Sequence, residues 1–108
     1  MMRFQNYDKQ EIMQWLRSRF SKIENVIELY LIGSMLSKDN IEINDVDIIQ
    51  EVKFAEKMDI IRHARIIYEI QGSFLKKFSV LLHITSFTQN EQYEMKSFLR
   101  KNDYIKLI

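Results

Sequence analysis

The chain has 108 residues and a mass of 13.1 kDa, enough for one core that buries roughly two-thirds of the unfolded surface and too little for two. Lys+Arg number 16 against 15 Asp+Glu, for a formal net charge of +1, and 46% of residues are hydrophobic; this balance excludes both a disordered chain and a strongly basic nucleic-acid binder. Cysteine is absent, so disulfides, thiol nucleophiles and Cys-based zinc sites are excluded. The N-terminal MMRFQNYDKQE has no apolar stretch of the signal-peptide kind, and no apolar run approaches the ~18 residues of a membrane span. A single domain over residues 1–108 in a reducing cytoplasm is the expectation, with no membrane and no nucleic acid among its partners.

From Asp8 to about Ile23, the apolar residues Ile12, Trp15, Leu16, Phe20 and Ile23 recur at helical spacing behind Asp8 as an N-cap. VIELYLI, residues 26–32, is a β-branched and aliphatic strand pattern that ends at Gly33, and DVDIIQEV, residues 45–52, resumes it. Phe54, Met58, Ile61, Ala64, Ile67 and Tyr68 then follow a helical period that predicts a helix over 54–70, stopping before Gly72, with His63 on its surface. FSVLLHITSF, residues 78–87, reads as a strand, and NEQYEMKSFLRK, residues 90–101, as a helix with Tyr93, Phe98 and Leu99 on one stripe. The apolar load of residues 90–108 predicts a surface for association that includes Phe98 and Leu99. The order αββαβα predicts an α+β fold, a mixed sheet flanked by helices.

The stretch LYLIGSMLSKDNIEINDVDIIQ, residues 29–50, carries the chemistry. On a strand, Asp45 and Asp47 project from one face while Val46 and Ile48 enter the core on the other. Two carboxylates held so close repel each other, and a bound cation turns that repulsion into a site. Magnesium takes oxygen ligands, commonly one or two carboxylates plus substrate phosphates. The alternative is a solvated strand edge. Gly33 lets backbone approach a phosphate, and the hydroxyl of Ser34 with the following amides can hold phosphate oxygens, although a Gly-Ser after a strand is more often a plain turn. An EF-hand starting at Asp45 fails at Ile49 and Gln50, and a Walker loop fails for want of a Gly-Lys-Ser/Thr.

Ile32-Gly33-Ser34, ten intervening residues and Asp45-Val46-Asp47-Ile48 resemble the signature of the DNA polymerase β-like nucleotidyltransferase superfamily, in its minimal, antitoxin-like form. That resemblance implies a nucleotidyltransferase-like mixed sheet, Gly33 and Ser34 on nucleotide phosphates, Asp45 and Asp47 holding Mg²⁺, and transfer of a nucleotidyl group, AMP from ATP, by in-line displacement at phosphorus. Lys38 could reach the triphosphate or be a solvated loop lysine, and Arg62 and Arg65 read as a solvated helix face. The third carboxylate that the family carries on a later strand is missing from SVLLHITSF, where His83 is its counterpart. Imidazole is a poor ligand for magnesium but can accept a proton from an attacking hydroxyl; a histidine paired with a neighbour, for instance Asp47, is the plain alternative. Minimal members resemble one half of a two-protein toxin–antitoxin module, so the expected partner is a helical protein of HEPN type, with self-association as the other choice. A catalytically degenerate nucleotide-binding protein and a protein-interaction module remain the competing functions.

Overall fold

In the computed structural model, residues 9–33, 36 and 45–108 are described. They form α1 (Lys9–Phe20), β1 (Val26–Ile32), β2 (Asp45–Val52), α2 (Lys57–Phe78), β3 (Leu81–Thr88), α3 (Gln92–Arg100) and β4 (Tyr104–Lys106), with a 3-10 turn at Gln89–Glu91. The α+β class holds, and the four strands make one mixed sheet in the order β3-β2-β1-β4. β1 runs antiparallel to β2 and to β4, and β2 runs parallel to β3. Parallel neighbours need a long crossover, and α2 supplies it. Asp8, the expected cap of α1, lies outside the described residues.

Alternation along the strands assigns the two sheet faces. Leu29 and Leu31 of β1, Val46 and Ile48 of β2 and Leu82 of β3 face α1 and α2, where they pack with Ile12, Leu16, Phe20, Phe74 and Phe78. Each of these fully buried side chains contributes roughly 1.5–3 kcal/mol. Trp15 stands edge-on to Phe74 at 5.4 Å and to Phe78 at 6.0 Å, tying α1 to the C-terminal half of α2 with about 0.5–1.5 kcal/mol per ring pair beyond burial. On the opposite face, Tyr30, Ile32 and Ile49 pack under Met95 and Leu99 of α3. Leu99 is thus core, and only Phe98 of the expected association pair retains exposed surface.

Helix α2 corrects the sequence reading at both ends. It begins at Lys57 behind Glu56, whose backbone N–H donates to Asp59 Oδ2 at 3.2 Å, a reciprocal cap. It runs through Gly72 to Phe78 and closes on Ser79, which adopts the left-handed conformation at φ 58 and donates its N–H to Leu75 O at 2.8 Å. Ile70, Phe74 and Phe78 recur every four residues and are all buried, and that apolar stripe outweighs the cost of a mid-helix glycine, about 1 kcal/mol. The strand expected from residue 78 accordingly starts at Leu81. Nothing lies within 4 Å of a Cβ built on Gly72, so Gly72→Ala is expected to stabilise the fold by about 0.5–1 kcal/mol, read as a rise of a few degrees in Tm. An unchanged or lowered Tm would show that the glycine serves a conformation other than helix.

His63 also departs from its expected place on the helix surface: it is only 5% exposed. Its Nε2 donates to Gln50 Oε1 at 3.2 Å, and Gln50 Nε2 donates to Ser86 Oγ at 2.8 Å, so β2 offers α2 a buried polar contact that a helical wheel cannot reveal. Nδ1 is buried with no hydrogen-bond partner among the described residues, and Phe54 stacks edge-on against the ring at 5.3 Å. Burial pushes the His63 pKa below its ordinary value of 6.5. The unfolded chain therefore takes up this proton first on acidification, so the stability associated with neutral His63 is complete above pH 6.5 and is lost as pH falls through that value. Tm should drop between pH 7.5 and 5.5, and His63→Gln should flatten the drop; equal slopes for the two proteins would refute the assignment.

Candidate active site

The uncovered part of the α3 side of the sheet holds the sequence-predicted residues that are described. β1 leads into Gly33, whose φ of +90 is a conformation that side chains other than glycine rarely adopt. Leu36 N–H donates back to Gly33 O at 3.1 Å, so the chain turns here. In the antiparallel ladder Ile32 pairs with Asp47, and this register sets Gly33 against the Asp47 carboxylate: a Cβ at Gly33 would lie 2.9 Å from Asp47 Oδ2. The two halves of the motif, fourteen positions apart in sequence, therefore meet without a side chain between them.

Asp45 and Asp47 stand on the same face of β2. Burial raises the Asp47 pKa, the neighbouring Asp45 charge adds to the rise, and His83 opposes it. Both ends of the His83 contact are well exposed. His83 pairs in register with Asp47, and its Nε2 lies 3.5 Å from Asp45 Oδ2, with the two side chains 55% and 43% exposed. A pair so wet contributes little to stability, which leaves the imidazole available to another partner. β3 places His83 where a third carboxylate would face the pair. Its close contact is with Asp45, whereas Asp47, the neighbour expected from the sequence, is its register partner.

Ser34 and Lys38 lie outside the described residues. Arg62 and Arg65 are on α2, across the sheet from the aspartates, and Arg62 pairs with Asp59 at 3.6 Å. Among the described residues no cluster of three or more His, Asp or Glu is gathered for a metal ion. Among the described residues the Asp45 and Asp47 carboxylates are hard oxygen donors of the kind that hold magnesium jointly with substrate phosphates. The Gly33–Asp47 approach was not evident in the sequence, because strand register determines it and no local spacing reports register.

No protein-family model matches the chain, and no curated protein matches it. A solved structure does: the 1.40 Å crystal structure of a "putative nucleotidyltransferase" from Sulfolobus solfataricus superposes with a TM-score of 0.57 over 98% of this chain and 87% of that one, at 13% identity. The fold is nucleotidyltransferase-like. Identity this low speaks to backbone architecture alone. The element order agrees with that fold, in which the two central strands bring Gly33, Asp45 and Asp47 together on the α3 face. Among the described residues no helix is long and apolar enough to cross a membrane.

Proposed function

We propose that this chain is a cytoplasmic, magnesium-dependent nucleotidyltransferase that moves AMP from ATP to an acceptor. The observation that carries the reading is the contact of Gly33 with Asp47 beside Asp45. It leaves backbone bare next to two carboxylates, a combination suited to a polyphosphate and its cation and of little use to a packed sheet. Asp45 and Asp47 would hold the magnesium ion, which supplies charge neutralisation at the phosphates when bound. Gly33 gives the phosphates close access to backbone, and Ser34 with Lys38 would complete the cradle. His83 is placed to take the proton of the acceptor hydroxyl as its oxygen attacks phosphorus and pyrophosphate departs.

A second reading is favoured by one observation: β3 carries no carboxylate, which suits a chain that binds nucleotide with little turnover. The resemblance also supports a helical, HEPN-type partner or a second copy, and Ile60, Ile61 and Tyr68 leave an apolar stretch of α2 exposed for either. Calorimetric titration with ATP tests the function. Binding should require magnesium and disappear with chelator; heat that is indifferent to chelator would return the chain to a plain interaction module.

A further inference from the structure

A cleft opens on the α3 side of the sheet, on the same face as the aspartates. It is an open depression of about 500 Å³ between α3 and the β1–β4 edge of the sheet, lined by Tyr30, Lys96, Leu99, Arg100 and Tyr104, a size within the roughly 300–1,000 Å³ of small-ligand sites. Tyr104 is 48% exposed and is braced edge-on by Tyr30 at 5.6 Å, so its ring is held while much of its surface stays open. Neither Lys96 nor Arg100 forms an ion pair within 4 Å among the described residues, although the Lys96 charge is close enough to Glu28 to help lower its pKa; the Arg100 Nε–H reaches Lys96 O at 3.4 Å. Glu28, on neighbouring β1, is already engaged by the Tyr30 hydroxyl and by Lys106 Nζ at 3.1 Å.

The sheet register relates this cleft to the site. Tyr104 pairs with Ile32, Ile32 with Asp47, and Asp47 with His83, so these residues form one row across the sheet with their side chains on one face. Two strand spacings, about 10 Å, separate Tyr104 from Asp47, a span that a ribose and its base bridge. An aromatic ring flanked by two cations is complementary to a base with a phosphate attached. The phosphates of a donor nucleotide belong at Gly33 and the aspartates, so Lys96 and Arg100 call for a phosphate of a separate molecule.

The geometry points to a nucleotide acceptor: a nucleoside monophosphate unit whose base stacks on Tyr104, whose phosphate lies on Lys96 and Arg100, and whose ribose hydroxyl faces Asp45 and Asp47. The acceptor role rests on the nucleotidyltransferase reading; binding in the cleft does not. In the step, the ribose oxygen forms a bond to the donor's α-phosphorus, the bond from that phosphorus to the pyrophosphate oxygen breaks, pyrophosphate leaves with the electron pair, and the hydroxyl proton passes to His83.

The test is calorimetry with AMP in the presence of EDTA, and separately with Mg-ATP, on the whole chain. AMP should bind without metal. The double variant Lys96→Glu/Arg100→Glu and Tyr104→Ala should each weaken AMP by about tenfold or more, the order that loss of one stacked base or of paired phosphate contacts produces, while Tyr104→Phe, which keeps the ring, should bind as wild type. Mg-ATP affinity should be unchanged in the double variant. Three outcomes overturn the proposal: no AMP binding by wild type, inorganic phosphate competing as well as AMP, or Mg-ATP affinity falling in parallel with AMP, which would make the cleft the donor's own base pocket. Asp47→Asn separates the two readings. If it leaves Mg-ATP binding intact the nucleotidyltransferase reading fails, whereas AMP binding that survives it unchanged keeps the cleft as an independent nucleotide site.

Discussion

Asp45→Asn and Asp47→Asn are each expected to abolish magnesium-dependent ATP binding, and Asp47→Asn to leave the fold at least as stable as wild type. Asparagine preserves shape and removes one charge of the pair. In the metal-free protein that charge is unfavourable at Asp47, where burial, and then Asp45, raise the carboxyl pKa. The sign follows directly. A carboxylate whose folded pKa is raised favours folding when protonated, and that contribution is present at pH below the unfolded value and lost as pH rises through the folded one. At neutral pH the ionised group therefore costs stability, and its replacement recovers it. The side chain is only partly buried, so solvent screening holds the gain below about 1 kcal/mol, a Tm rise of at most roughly 4–8 °C. The advantage should vanish toward pH 3, where wild-type Asp47 is itself neutral. Loss of Mg-ATP heat together with an unchanged or raised Tm is the expected pair of results; a variant that binds Mg-ATP as wild type shows that the aspartates hold no metal.

The second large effect concerns His83. His83→Ala should lower nucleotidyl transfer by about 10²-fold or more, the usual contribution of a positioned proton acceptor, while Mg-ATP binding through Asp45 and Asp47 persists. His83→Asp should raise magnesium-dependent transfer, because it adds a third oxygen ligand on β3, in register with Asp47 and beside Asp45. It also adds a third negative charge, so the variant's Tm should become more dependent on magnesium than that of wild type. Transfer of label from α-labelled ATP, with AMP and with co-expressed protein as acceptors, reads the first effect. Full wild-type activity that neither substitution changes would make His83 a structural residue and place the proton acceptor elsewhere.

The lesson about legibility is local. The strands at 26–32 and 45–52 were readable from composition because β-branched and aliphatic runs that end at a glycine or begin at alternating polar residues have few other fates. The motif was readable for a related reason: two aspartates two positions apart on a strand must share a face whatever the strand packs against. The end of α2 was misread because Gly72 is a local stop signal, whereas the stripe Ile70, Phe74 and Phe78 is satisfied only by partners in α1 and β1 to β3. β4 was missed since three residues at a sheet edge have no periodicity of their own; Tyr104 becomes strand because β1 offers it a ladder. His63 is the same case in polar form, buried by a hydrogen bond to Gln50, thirteen residues earlier.

Sequence by itself determined the α+β class, the absence of cysteine chemistry, and the two same-face carboxylates downstream of a Gly-Ser pair, because each follows from short-range periodicity and residue chemistry. Tertiary structure alone decided that Gly33 meets Asp47, that His83 stands within 3.5 Å of Asp45, and that Tyr104, Lys96 and Arg100 wall a cleft on the same face. Those contacts depend on strand order and register, which are chosen by how the whole hydrophobic set closes, and a one-residue slip would have turned every one of these side chains to the other face.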